Sequence, residues 1–136
     1  MIEIVLREFA SAAQWEAAMR RRPDAVFVCA GKRKRGVPPG IGRGGARVEL
    51  TIDATLVALA LLSRPGGLTT GEIVELVWGD RADGGPEFAA NCATRLRGIA
   101  RHALAAIGFG VTSRRGQRIA RAFEVGAAAG EMRDSA

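Results

Sequence analysis

Arginine is the residue whose type and spacing most clearly suggest a chemistry in this chain of 136 residues. From Asn91 to Phe123 there are seven arginines and no acidic residue. The guanidinium group is a rigid fork of N–H donors that matches phosphate oxygens and the major-groove edge of guanine. The alternative is an ordinary solvated face, but such faces usually mix charges of both signs. The segment therefore predicts a nucleic-acid partner.

The composition of the whole chain agrees with that prediction. Its basic residues are 18 arginines and two lysines, the net charge is +6 and the isoelectric point is about 10.9. Such a charge favours nucleic acid or an anionic membrane surface as a partner. A GC-rich genome also encodes many arginines, so the number of arginines is by itself weak evidence for such a partner. With 48% hydrophobic residues, the chain is expected to form one domain, or one small domain with an appended part.

Several classes of site and location are disfavoured. Cys29 and Cys92 are far apart in the sequence and the chain has one histidine, which predicts neither a metal site nor a disulfide. The longest apolar run, Leu56 to Leu62, is too short to span a bilayer. Met1 leads directly into an alternating strand pattern rather than a signal peptide. We expect a protein of the bacterial cytoplasm that does not bind membranes.

Candidate catalytic residues are few and poorly placed. His102 has no carboxylate at helical spacing and no nucleophile nearby, which favours a surface role. Asp80 and Asp83 lie in a predicted loop, where aspartate is ordinary turn chemistry. The glycines from Gly40 to Gly45 lack the Lys-Ser/Thr pair of a phosphate-binding loop. The sequence predicts no enzyme and no cofactor.

The arginines lie on a predicted long helix and a hairpin. Pro86 suits the first position of a helix that runs to Ile107, and Gly108 ends it. Two short strands follow, at 109–113 and 118–123, joined by a basic turn. Apolar residues recur every three or four positions along the helix and predict its inward face: Phe88, Cys92, Leu96, Ile99, Ala103 and Ile107.

Two shorter helices precede the long one. Thr51 caps a helix from Ile52 to about Ser63, after a short strand at 48–50. A capping box at Thr69–Glu72 opens a second helix, which carries Trp78. Between residues 51 and 90 there are six acidic residues and two arginines, so only one side of this unit suits nucleic acid. Three helices and a hairpin predict an α+β fold of the winged helix-turn-helix type.

The first 47 residues are predicted to form a β-α-β element with a basic loop. The strands are Ile2–Leu6 and Ala25–Ala30, and Ser11 caps the helix from Ala12 to about Arg22. Residues 31–47 are too rich in glycine and proline to predict regular structure. This stretch is either a solvated loop or a basic arm that orders along phosphates, and its basic run is Lys32, Arg33, Lys34 and Arg35. Residues 125–136 are predicted to be a flexible tail.

Four pieces of the chain, in order, resemble the DNA-binding domains of OmpR/PhoB-type response regulators. They are the Val48-Glu-Leu-Thr51 strand, the leucine-rich helix at 56–62, the Arg64-Pro-Gly66 turn and the Val77-Trp-Gly79 helix end. Arg95-Leu96-Arg97 is similar to the recognition helix of that family, and Arg115-Gly116 to its wing. The resemblance covers about residues 48–122. It implies that Thr94, Arg95 and Arg97 contact bases and phosphates and that Arg115 lies on the wing.

The chain also departs from that family. Arg118 and Ile119 replace a glycine and a tyrosine of the wing, no receiver domain is present, and the helix at 12–22 is foreign to the family. The resemblance further implies a different inward face for the long helix, formed by Ala89, Ala93 and Ala100 rather than Phe88, Cys92 and Ile99. The sequence leaves both registers open.

The expected function is that of a DNA-binding transcriptional regulator with the helix at 86–107 in the major groove. The expected DNA contacts are Asn91, Thr94, Arg95, Arg97 and Arg101 on the helix, Arg114, Arg115 and Arg118 on the wing, and Lys32–Arg35 in the basic loop. The alternative is a protein-interaction module that binds an acidic partner such as a polymerase subunit, with residues 1–47 as a dimerisation or docking element. RNA is disfavoured because stacking aromatic residues are nearly absent from the basic segment.

Overall fold

The fold is α+β, with two small sheets and four helices among the described residues. A computed structural model describes residues 3–29, 37–81, 85–114 and 119–124. The elements are β1 (Ile4–Leu6), α1 (Ala12–Arg21), β2 (Val26–Cys29), β3 (Gly40–Arg43), β4 (Ala46–Glu49), α2 (Ile52–Ser63), β5 (Leu68–Thr69), α3 (Thr70–Trp78), α4 (Ala89–Ala106), β6 (Phe109–Arg114) and β7 (Ile119–Glu124).

The first sheet has the strand order β1-β2-β3-β4. Strands β1 and β2 are parallel and joined through α1, as the predicted β-α-β pattern requires, whereas β3 and β4 add an antiparallel hairpin. All four residues of β2 are buried. The sheet is covered on both faces, because Val26 and Val28 pack with the later helices while Phe27 and Cys29 pack with α1. A strand covered on both sides shows a continuous apolar run instead of alternation.

The hairpin β3–β4 corrects the prediction that residues 31–47 hold no regular structure. Its glycines serve close packing and turn geometry. A Cβ on Gly40 would collide with the carbonyl oxygen of Val48, and one on Gly42 would lie 2.6 Å from Met19 Sδ. Gly44, at φ +61°, begins the two-residue turn, where a left-handed backbone favours glycine. The basic run at 32–35 lies outside the described residues.

The second sheet ties the C-terminal hairpin to the helices. Its order is β5-β7-β6, with all pairs antiparallel. Strand β5, which is not among the elements predicted from the sequence, is two residues long and pairs Leu68 with Ala120. The predicted hairpin is present, with six paired positions from Phe109–Glu124 to Arg114–Ile119.

Local capping sets most helix boundaries where the sequence places them. The side chains of Ser11, Thr51 and Thr69 accept hydrogen bonds from the first turns of α1, α2 and α3. The predicted start of the long helix at Pro86 is wrong, because α4 begins at Ala89 with no side-chain cap. Before it, the chain turns at Gly85, whose φ is +89° and which lies against Trp78.

The larger hydrophobic cluster spans the predicted boundary between residues 47 and 48. It joins Val26, Val28 and Ile41 of the first sheet to α2, α3, α4 and β6. That boundary itself falls inside β4. The smaller cluster lies under α1, where the rings of Phe9 and Trp15 stack with 5.6 Å between their centroids. The helices therefore rest directly on the first sheet. Among the described residues, no helix has both the length and the hydrophobicity needed to cross a bilayer.

Candidate nucleic-acid interface

The inward face of α4 is made mainly of alanine. Ala93 and Ala100 are completely buried, and Ala103 and Leu104 are buried beside them. These residues pack in the larger cluster against α2 and α3. Small side chains let neighbouring helices approach closely, because the distance between helix axes depends on the residues at the contact. The position of α4 therefore depends on alanines that carry little hydrophobic signal in the sequence.

This register corrects the apolar stripe predicted for the long helix. Phe88 is 66% exposed and Ile99 is 41% exposed, so neither forms the inward face. Cys92 and Leu96 are half-buried at the edge of the cluster, and the C-terminal part of the stripe, Ala103 and Ile107, is buried as predicted. The observed register instead places Ala93 and Ala100 inward, as the resemblance implied. Of the two registers that the sequence leaves open, the structure has the one centred on Ala93 and Ala100, with Phe88 and Ile99 outside the inward face.

The outward face of α4 carries most of the predicted contact residues. Asn91, Thr94, Arg95 and Arg101 are exposed, and Arg97 is half-buried on the flank. The Thr94 hydroxyl donates a hydrogen bond to the Ala90 carbonyl oxygen at 3.0 Å, so its proton is already used within the helix. Its lone pairs can still accept a bond. The structure thus brings four of the five predicted helix residues to one exposed surface.

The charge of that surface is of one sign along the helix. Between Ala89 and Ala106 there are three arginines and no acidic residue. Within the described part of the chain, none of Arg95, Arg97 and Arg101 forms an ion pair. The described residues therefore leave the N–H donors of these guanidinium groups open to a ligand.

A groove separates α4 from the outer face of the hairpin. Its volume is about 520 Å³, and Arg101 and Ala105 line one side while Thr112 and Phe123 line the other. Gly110 pairs with Phe123 across the hairpin, and Phe123 is 45% exposed. The exposure of Phe123 was not predicted from the sequence. The strand alternation of β7 was the signal that could have indicated it.

The described residues include only part of the predicted wing and none of the basic run at 32–35. Arg114 ends β6, and its backbone pairs with Ile119. Arg115, Arg118 and Lys32–Arg35 lie outside the described residues. Predictions for their side chains stay predictions.

The N-terminal sheet supports the interface from behind. Arg43, at the end of β3, donates from Nε to the Asp24 carbonyl oxygen at 3.2 Å. The same guanidinium lies over the Phe109 ring, next to the point where Gly108, at φ +92°, turns the chain from α4 into β6. The first sheet thus contacts the junction of helix and hairpin.

Cys29 and Cys92 are both free thiols. Over the described ranges, no group of three or more His, Cys, Asp or Glu side chains is placed to hold a metal ion. Neither a scan against models of protein families nor a search of curated proteins finds a match to this chain.

Proposed function

We propose that this chain is a DNA-binding protein of the winged-helix class, with α4 as the recognition helix and the β6–β7 hairpin as the wing. The order of elements supports this proposal, because three helices followed by a hairpin is the winged helix-turn-helix arrangement. The short strand β5 adds to it by joining the hairpin to the helices. A regulator of transcription is the role that fits such a domain best.

The observation that carries the proposal is the exposed face of α4. The helix has 18 residues and is about 27 Å long, and its outward side presents arginine, asparagine and threonine without an acid. The major groove is wide enough to admit such a helix, and these side chains are the types that bind its base edges. Arg95 can take both acceptors of a guanine, and Asn91 suits adenine.

The groove beside α4 supports the same assignment. Arg101 lies at its edge and Thr112 on its far side, and both can bind phosphate oxygens. A strand of DNA that follows this groove would meet the helix on one side and the hairpin on the other. Phosphate contacts of this kind position the protein and supply affinity, whereas base contacts supply sequence preference.

Fluorescence anisotropy with a random-sequence DNA duplex tests the proposal. The wild-type chain should bind at low salt and lose affinity steeply as salt rises, because bound arginines release counterions. The double variant Arg95→Ala/Arg101→Ala should bind at least about tenfold more weakly. The control pair Arg20→Ala/Arg21→Ala removes the same charge from α1 and should change affinity much less. An absence of binding at low salt, or equal losses in the two double variants, would contradict the proposal.

A second candidate function is recognition of an acidic protein. It is favoured by Phe88 and Ile99, which expose large apolar surface at the edge of the arginine face. Exposed aromatic residues beside arginine are typical of protein interfaces. In that case the chain would not bind duplex DNA at low salt. It would bind an acidic protein partner, and Phe88→Ala would weaken that affinity.

A further inference from the structure

Gly98, itself half-buried, lies among exposed residues on the outward side of α4. Its neighbours at helical spacing are Thr94 and Arg95 on one side and Arg101 and His102 on the other, and all four are exposed. Apart from the backbone of the adjacent helical turns, no heavy atom would lie within 4 Å of a Cβ at Gly98. The space above this residue is open, so the fold itself leaves room for a side chain.

Three glycines that flank α4 or the helix before it have structural reasons that Gly98 lacks. A Cβ on Gly79 would collide with Glu75. Gly85 and Gly108 have φ values of +89° and +92°, which favour glycine. Gly98 lies within a regular helix, where glycine is less favourable than any residue except proline. Neither packing nor backbone geometry explains a glycine here.

We propose that Gly98 is the point of closest approach between α4 and DNA and sets how deeply the helix enters the major groove. This inference rests on the proposed function. Where no Cβ is present, a ligand can approach the helix backbone closely. A side chain at this position would stand between Arg95 and Arg101, and it would hold the Arg95 guanidinium away from the base edges and the Arg101 guanidinium away from the phosphates. Gly98 is therefore a positioning residue for these two arginines.

The test uses the opposite effects that this proposal expects on stability and on binding. Alanine and leucine both favour helix more than glycine does, so Gly98→Ala and Gly98→Leu should raise Tm by a few degrees. On a duplex enriched from a random pool by the wild-type chain, Gly98→Leu should weaken binding by about tenfold or more, which corresponds to about 1.4 kcal/mol. Gly98→Ala should cause a smaller loss, because its side chain is smaller.

The control is Ala13→Leu, which adds bulk to an exposed position of α1. It should leave the affinity for the same duplex unchanged. A residue that only supported the fold would move Tm and affinity in the same direction, so a higher Tm with weaker binding supports the inference.

Wild-type affinity in Gly98→Leu would overturn the inference and leave the proposed function intact. A pool from which the wild-type chain enriches no sequence, although it binds random duplex, would also overturn it, since α4 would then not reach base edges. No binding of any duplex by the wild-type chain would overturn both proposals.

Discussion

The guanidinium of Arg43 lies over the ring of Phe109, with 5.2 Å between Arg43 Cζ and the ring centroid. Arg43 ends β3 in the N-terminal sheet, and Phe109 is the buried first residue of β6. The N-terminal sheet carries no predicted recognition helix. This pair connects it to the junction of α4 and the hairpin. The N-terminal sheet is thus part of the support for the candidate interface.

Substitution of Arg43 is expected to weaken this connection. Arg43→Ala removes the contact with the Phe109 ring and the hydrogen bond to the Asp24 carbonyl, and should lower the free energy of unfolding by about 1–3 kcal/mol. Urea denaturation followed by circular dichroism measures this loss. The control is Arg22→Ala, which removes an ion pair between two exposed side chains, Arg22 and Glu3, and should cost much less. If Arg43→Ala and Arg22→Ala lowered the free energy of unfolding equally, the Arg43–Phe109 contact would stabilise the fold no more than an exposed ion pair does.

The capping box of α3 predicts a specific pH dependence of stability. The backbone N–H of Thr69 donates to Glu72 Oε1 at 3.0 Å. This bond, then the Thr69 side chain and the nearby Arg64, lower the pKa of Glu72 below its usual value. Because the folded-state pKa is the lower one, the stabilisation is fully present above the unfolded pKa of about 4.3 and is lost as pH falls through the folded value.

Glu72→Gln should reduce that dependence while it keeps the shape of the side chain. Urea midpoints measured from about pH 6 down to about pH 3 should fall less steeply in the variant than in the wild type, because one linked carboxylate is gone. Glu75→Gln serves as the control, since it changes a neighbouring exposed glutamate of the same helix. If Glu72→Gln and wild type gave parallel curves, the hydrogen bond would not stabilise the carboxylate.

The two exposed arginines of α4 are expected to differ in what they recognise. Arg95→Ala should relax sequence preference, with a loss of about 1–3 kcal/mol on an enriched duplex and a smaller, electrostatic loss on a random one. Arg101→Ala, at the edge of the groove, should weaken both duplexes alike and reduce the salt slope by about one. Binding isotherms for both duplexes over a range of salt concentrations separate the two effects. A uniform loss in Arg95→Ala would assign that residue to phosphate instead.

The helix boundaries that depend on local chemistry could be predicted from the sequence. Thr51 caps α2 and Thr69 opens α3 because their hydroxyls bond to backbone groups only three residues away. The end of α4 before Gly108 is equally local. The strand β5 could not be predicted, because Leu68 and Thr69 pair with residues about fifty positions later in the chain. Two residues of strand carry no pattern of their own.

The face of α4 could not be settled from the sequence for a different reason. Phe88 and Ile99 have the hydrophobicity and spacing of core residues, yet the core of this helix is built from Ala93 and Ala100. Alanine contributes little buried area, but it lets α4 lie close to its neighbours. The β3–β4 hairpin was not predicted for a similar reason. Its glycines indicated an irregular loop, whereas Gly40 and Gly42 allow close packing. In both α4 and the β3–β4 hairpin, small residues let neighbouring elements pack closely.

The central claim is that α4 and the β6–β7 hairpin form the DNA-binding surface, and an NMR titration tests it most directly. A chain of 14.3 kDa is suited to amide spectra recorded as duplex DNA is added at low salt. We expect the largest shift changes from Asn91 to His102 and from Gly110 to Thr112, with little change in α1. Changes centred on α1 with α4 unaffected, or no changes at saturating DNA, would contradict the account.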